Sequence, residues 1–154
     1  MRIRLFSGED LASVIEVQRA AKQASKWLQA DYERLAADPD GMILVAEQED
    51  TTPAKIVGFA AFHHVGDEAE LWNLAVAPEF QRQGVAKTLL KDAFAKLGAL
   101  GIQTVFLEAR ASNAPALWLY QAVGFKIQSR RKDYYQNPRE DAVVLRFELE
   151  SSSL

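Results

Sequence analysis

Apolar residues along this chain recur at two spacings, every second position and every third or fourth, and the changes between them mark out the elements. "IRLF" predicts a short first strand, and "SGEDLASVIEVQRAA" a helix. Leu11, Val14, Ile15 and Gln18 fall at helical spacing there, and Ser7 and Asp10 have the spacing of a capping box. "WLQADYERLAA" predicts a second, shorter helix that stops at the turn cluster "DPDG". "MILVAEQ" and "KIVGFAAFHHV" read as strands separated by polar "EDTTPA", and "EAELWNLAV" as a further strand closed by Ala77-Pro78. After Gly84, the residues Val85, Ala86, Leu89, Leu90, Ala93, Phe94 and Leu97 form one continuous stripe, so this helix packs on a sheet and ends at "GALG". "IQTVFLEA" is a strand of the buried type. "SNAPALWLYQAVG" is a helix with Ser112 or Asn113 as cap and Gly124 as stop, and its Trp118 and Leu119 read as core. "FKIQSRRKDYY" and "EDAVVLRFEL" are two last strands joined by "QNPR".

The predicted order is βααβββαβαββ. The strand–helix–strand connections of the second half imply a mixed sheet with a right-handed crossover. A chain of 154 residues suits one domain and one core, here residues 1–150, with 151–154 ("SSSL") a disordered tail. Apolar content of 49% and charged content of 25% are those of a globular protein. The N-terminus lacks a signal-like apolar stretch and no run approaches a membrane span, so a cytoplasmic location away from membranes is expected. A net charge of −3 argues weakly against direct nucleic-acid binding. With no Cys, neither disulfides nor a thiolate metal site can form. His63 and His64 are adjacent on a strand and point to opposite faces, so no metal site is assigned.

One helix start is anomalous. In "VAPEFQRQGVAKTLL" the usual capping residue is missing, the first turn holds no acid, and Lys87 places a cation where the helix dipole disfavours it. The stretch fits either a poorly capped surface helix or an anion site. In the second case the free amides of "QRQG" meet phosphate, Gly84 lets the ligand come close, and Arg82 and Lys87 are its counter-charges. The Walker A spacing and the G-x-G-x-x-G fingerprint are both absent.

Gln81-x-x-Gly84-x-Ala86 after a strand ending "LAVAP" resembles the acetyl-CoA pyrophosphate loop of the GNAT N-acetyltransferases. "LEARASNAPALWLYQAVGF" resembles the segment that follows in that family. The similarity runs from about Leu71 to Leu145 and is greatest to the RimI-type enzymes, which acetylate the N-terminal alanine of a small-subunit ribosomal protein; "RRKDYY" and "REDAVVL" fit that subgroup. A Pro-Trp-Ser element expected upstream is replaced by "ASKWLQ", in which Trp27 is the suggestive residue, and the acceptor site is therefore the divergent part.

The resemblance implies a mixed, mostly antiparallel sheet of about seven strands flanked by about four helices, an α/β fold of the α+β kind. Its fourth and fifth strands splay into a V. Acetyl-CoA would be held by backbone at Leu74, Ala75 and Val76, by the loop Gln81, Arg82, Gln83, Gly84, Val85, Ala86 and Lys87, and by Asn113 and Tyr120. A backbone amide near Val76 would face the thioester oxygen. Glu108 aligns with the general base of the family, and Tyr120 with the acid that protonates the leaving thiolate. Read without the resemblance, Glu108 is equally a solvated strand end, Tyr120 a packing residue and Asn113 a helix cap. Trp27, Arg131, Tyr134 and Tyr135 are candidates for the acceptor groove, although "RRKDYY" also reads as an exposed hairpin arm.

An α-amine is neutral to on the order of 10% at pH 7 and a lysine amine to about 0.04%, which mildly favours a protein N-terminus as acceptor. The absence of Cys excludes a cysteinyl acetyl-enzyme. The reading is thus direct acetyl transfer in a ternary complex by a monomer or weak dimer, to the N-terminus of a protein such as a ribosomal one. Acetylation of lysine or a small amine, and non-catalytic binding of acetyl-CoA, are the alternatives.

Overall fold

The computed structural model describes residues 1–149; the tail expected over 151–154 lies outside them. The elements follow the predicted order: β1 (Arg2–Leu5), α1 (Leu11–Ala20), α2 (Gln29–Ala37), β2 (Gly41–Gln48), β3 (Lys55–Val65), β4 (Glu68–Val76), α3 (Val85–Ala99), β5 (Thr104–Arg110), α4 (Ala114–Val123), β6 (Lys126–Tyr135) and β7 (Glu140–Glu148). The strands form a single seven-stranded sheet in the order β1-β2-β3-β4-β5-β7-β6. Every neighbouring pair is antiparallel except β4 and β5. Among the described residues, no helix is long and apolar enough to cross a membrane.

The sheet separates two cores. On one face α1 and α2 bury Val14, Val17, Tyr32 and Leu35 against Ile43, Val45, Phe59 and Ala75. On the other, α3 and α4 cover Leu44, Val57, Phe62, Val105 and Leu107. The predicted α3 stripe is the one that packs: Val85, Leu89, Leu90, Ala93 and Leu97 are all buried. Truncating Leu89 or Leu90, both fully enclosed, to Ala would cost about 2–5 kcal/mol. Gly58 on β3 sets how closely α3 approaches. A Cβ there would stand 3.1 Å from both the Ala75 carbonyl oxygen and the Val85 side chain.

Three details differ from the sequence reading. The Ser7 amide does donate to the Asp10 carboxylate at 2.8 Å, but it closes a short 3₁₀ turn, Gly8–Asp10, and α1 begins only at Leu11. Arg4 draws Asp10 toward β1 through a two-pronged contact at 2.8 and 2.9 Å. On α1 it is Val17, rather than Gln18, that joins Val14 in the core. Trp118, expected in the core, is 73% exposed. "LWLYQAV" is apolar apart from Gln121, which shares the outward face with Trp118, so its periodicity marks the buried face only weakly.

The parting of the sheet positions the site. β4 and β5 pair only from Glu68↔Thr104 to Glu70↔Phe106. Beyond that point β4 stays with β3 and β5 stays with β7, so the two strands diverge. Just past the parting, β4 also contains a bulge. Ala61 opposes Asn73 and Phe62 opposes Leu71, which leaves Trp72 as the extra residue. The bulge reverses the alternation of faces: Ala69 and Leu71 before it and Val76 after it all join the α3 core, whereas Ala75 joins the α1–α2 core.

Candidate active site

The loop before α3 has the form of an anion cradle. Arg82 and Gly84 both adopt left-handed conformations, with φ of 63° and 83°, the kind of turn that gathers successive amides into a nest. Gly84 is the N-cap of α3, no side chain caps the helix, and its first turn holds no acid. Among the described residues, none of the six amides from Arg82 to Lys87 has an acceptor. A Cβ on Gly84 would meet nothing within 4 Å, so the space against the cradle is open. Internal bonds hold the loop in shape. The Gln81 side chain donates to the Val76 carbonyl at 3.1 Å and the Gln83 side chain to the Glu79 carbonyl at 3.1 Å. Of the loop residues named from sequence, Gln81 and Gln83 thus spend their side chains on the protein itself, while Arg82 and Lys87 stand exposed.

The residues expected at the splay divide between the two faces of the sheet. Leu74, Ala75 and Val76 lie on β4 beyond the last pair with β5, so the backbone edge of this stretch is unpaired on that side. Tyr120 is buried in the α3–α4 core, edge-on to Phe125 with ring centroids 5.7 Å apart. Burial, and next the neighbouring Tyr135, push its phenol up to about 12. Its hydroxyl makes no hydrogen bond to another described residue. On β5, Val105, Leu107 and Ala109 face this same core, so Glu108 projects from the opposite face. Continuing the parallel register past Glu70↔Phe106 sets Glu108 level with Trp72, one on each arm of the parting.

Glu108 is not free in this arrangement. Its Oε1 accepts from Arg131 at 2.7 Å, with the two side chains 30% and 52% exposed. The Arg131 guanidinium also lies 4.1 Å over the ring of Tyr134. Tyr134 meets Tyr135 edge-on at 5.1 Å, and Arg110 covers Tyr135 at 4.3 Å. The Tyr135 phenol is raised by burial first and by the Glu108 carboxylate second. β6 carries two residues more than β7 between Arg131↔Ala142 and Tyr135↔Glu140, and this irregularity brings the hairpin side chains back over β5. Asn113 caps α4, accepting from the Ala116 amide at 3.3 Å, so the bland reading of its carbonyl oxygen holds.

Trp27, the acceptor candidate upstream, packs on Tyr32 at 5.0 Å and edge-on to Trp72 at 6.5 Å. Trp72 in turn stacks on His63 at 4.6 Å. Three residues at the site were missed. Trp72, Asn73 and Glu140 all depend on tertiary partners, and the one signal in the sequence was a lone Asn inside the apolar run "LWNLAV". Glu140 accepts from Arg110 at 3.2 Å and from the Ser112 amide at 2.7 Å, which joins β7 to β5 and to the start of α4. Of two clefts of about 380 and 360 Å³, one lies between α1 and the start of β3 and reaches Ala77 and Glu79 just after β4, and the other lies against β6 and β7.

An uncapped nest, an unpaired strand edge, and a carboxylate and a phenol approaching the parting from opposite faces can together hold an anionic, amide-bearing donor and move two protons. Residues 11–125 match the acetyltransferase (GNAT) family. The [ribosomal protein bS18]-alanine N-acetyltransferase of Haemophilus ducreyi is 38% identical over 148 residues, covering 92% of this chain and 90% of that protein. The Escherichia coli K12 protein of the same name is 42% identical over 97 residues, spanning 62% of this chain and 66%, just under two thirds, of that protein. The crystal structure of the ribosomal-protein-S18-alanine N-acetyltransferase from Escherichia coli superposes with a TM-score of 0.85 at 30% identity, covering 99% of this chain and 96% of that one. The chain belongs to the GNAT acetyltransferase family.

Proposed function

We propose that the protein transfers the acetyl group of acetyl-CoA to the N-terminal α-amine of a protein, in the cytoplasm, and that the acceptor is a ribosomal protein beginning with alanine. The observation that carries the donor side is the row of six uncapped amides at Arg82–Lys87 beside the parting of β4 and β5. The acceptor side is supported by the names of the relatives, which act on bS18 alanine.

The residues present fit acetyl-CoA. The nest and the dipole of α3 suit a diphosphate, with Arg82 and Lys87 as exposed counter-charges. The edge at Leu74, Ala75 and Val76, paired with no strand on the side of the parting, offers backbone partners to an amide-bearing chain, as in strand addition, although its Val76 carbonyl already accepts from Gln81. Acetyl-CoA supplies an activated acyl group and a thiolate leaving group. Glu108 takes the proton of the attacking amine, directly or through a water. A β4 amide near Val76 faces the acyl oxygen as negative charge develops there. Tyr120, whose phenol stays protonated far above neutral pH, gives its proton to the departing sulfur. The chain has no Cys, so the acetyl group does not pass through a thiol of the enzyme.

The test offers peptides beginning Ala-Arg beside N-blocked lysine peptides and polyamines, with acetyl-CoA as donor. Acetylation of the free α-amine in preference to the others is expected. Turnover confined to lysine or polyamines would reject this acceptor.

A further inference from the structure

We infer that Asn73 is the positioning residue of the acceptor half of the site, a side chain on the donor-holding strand that pins the α1–α2 loop, and Trp27 with it, at the mouth of the parting. The inference rests on the acetyl-transfer reading above and adds to it a named determinant of acceptor binding.

Asn73 is 4% exposed, one of only three buried polar residues among those described. A polar group so enclosed must find partners, and here it spends them on one segment. Its Oδ1 accepts from the Ser25 amide at 3.2 Å, and its Nδ2 lies 3.4 Å from the Ser25 carbonyl oxygen. The same Nδ2 donates to the Tyr32 hydroxyl at 3.2 Å and lies 3.4 Å from Gln18 Oε1. Tyr32 donates to Gln18, and Gln18 Nε2 donates to the Trp27 carbonyl at 2.8 Å. The knot thus ties α1, α2 and β4 to both backbone groups of Ser25 and to the carbonyl of Trp27.

Elsewhere the loop over residues 21–28 is held at its ends, by the closing bonds of α1 and the turn from Ala24 to Ala21 at one, and by the bonds between Leu28 and Asp31 at the other. Between them, among the described hydrogen bonds, both backbone groups of Ser25 are met by Asn73 alone. Asn73 follows the bulged Trp72, and without that bulge it would face the α3 core rather than the loop. The bulge therefore serves two ends. It brings Trp72 to the mouth beside Trp27, and it turns Asn73 under the loop that carries Trp27. None of these contacts touches the cradle at residues 82–87, so the knot governs where the acceptor sits and leaves the donor alone.

The experiment measures acetyl-CoA Kd by calorimetry, and kcat and KM for the accepted amine, in the wild type, Asn73→Leu and Tyr32→Phe. Hydrogen exchange of the Ser25 amide is followed in each. Asn73→Leu keeps the branched outline of the side chain, with bulkier ends, and leaves the Ser25 amide without its acceptor. It is expected to raise the acceptor KM at least about tenfold, to leave acetyl-CoA Kd within about twofold, and to speed Ser25 exchange. Tyr32→Phe removes one partner and is expected to raise acceptor KM by about threefold. An unchanged acceptor KM in a folded variant, or a parallel loss of acetyl-CoA affinity, overturns the inference. Should Asn73→Leu fail to fold, Tyr32→Phe decides by the same two readings. If the wild type acetylates no peptide, the acceptor reading above fails, and this test proceeds with whichever amine it does accept.

Discussion

The two halves of the proposed site, one read as holding the donor and one as holding the acceptor, are built in different ways. The cradle before α3 is made of consecutive backbone amides in one short loop, shaped by two left-handed residues and two glutamine side chains that bond within it. The proposed acceptor half is assembled from side chains far apart in sequence: Asn73 with Ser25, and Glu108 with Arg131. A backbone site tolerates many side chains as long as its dihedral angles survive. A side-chain site can be retuned one residue at a time while the scaffold stays put.

The comparison is tested hardest at the two groups proposed to move protons. Tyr120→Phe and Glu108→Gln are each expected to lower kcat by on the order of 100-fold while leaving acetyl-CoA affinity nearly unchanged. Equal loss of affinity and turnover would make them binding or structural elements, and the protein a binder of acetyl-CoA. Next in size is Gly84→Asp. It forces a side chain into a left-handed conformation and sets a negative charge in the nest, and acetyl-CoA Kd should rise by about 30-fold with acceptor KM unmoved. Titration calorimetry showing unaltered affinity would remove the cradle from the donor half.

A smaller effect separates the enclosed phenol from the exposed hairpin. Tyr120 has its folded pKa raised to about 12 by burial, above the ordinary value of 10. The folded form therefore keeps a proton that the unfolded chain loses first, and the associated stability is present below pH 10 and lost as the pH rises through 12. At pH 11 the contribution of Tyr120 to the unfolding free energy should be lower by about 1.4 kcal/mol, a tenfold change in the folding constant. Chemical denaturation at pH 8 and pH 11 measures it, and Tyr120→Phe should remove that share of the slope. A variant as alkali-sensitive as the wild type would show that this phenol is not the group that titrates.

Much of the donor half was legible because its signal is local. The missing cap at Gly84, the apolar stripe of α3 and the limits of β3 and β4 depend on neighbours within a few residues, and periodicity reports such neighbours. The bulge at Trp72 was not legible. "EAELWNLAV" alternates well enough to pass for an unbroken strand, and only the pairing of Ala61 with Asn73 and of Phe62 with Leu71 reveals the extra residue. Gln18 was placed on an apolar stripe because spacing alone carries no information about the polar knot that receives it. Trp118 failed for the reverse reason: the outer side of α4 is marked by a single polar residue inside the helix, Gln121, one turn on from Trp118, too little to outweigh the apolar residues around it. Glu108 was found at the end of its strand, but its guanidinium partner is 23 residues away and enters from a different strand.

That partner supplies the mildest test of the acceptor half. Arg131 occupies one oxygen of Glu108, and the hydrogen bonds of the described residues leave Oε2 unclaimed. The pair is half exposed, so it contributes little to stability. We propose that its value is orientation: the guanidinium, itself braced on Tyr134, holds the carboxylate so that the second oxygen faces the parting. Arg131→Ala is then expected to lower kcat/KM for the acceptor by about fivefold, with melting temperature and acetyl-CoA affinity unchanged. Arg131→Lys, which keeps the charge but not the planar contact with Tyr134, should fall between the two. Steady-state kinetics with the acceptor varied at saturating acetyl-CoA separates the outcomes. Activity equal to the wild type in Arg131→Ala would mean that β5 alone sets the direction of Glu108, and that the hairpin belongs to the acceptor half through its tyrosines and not through its arginine.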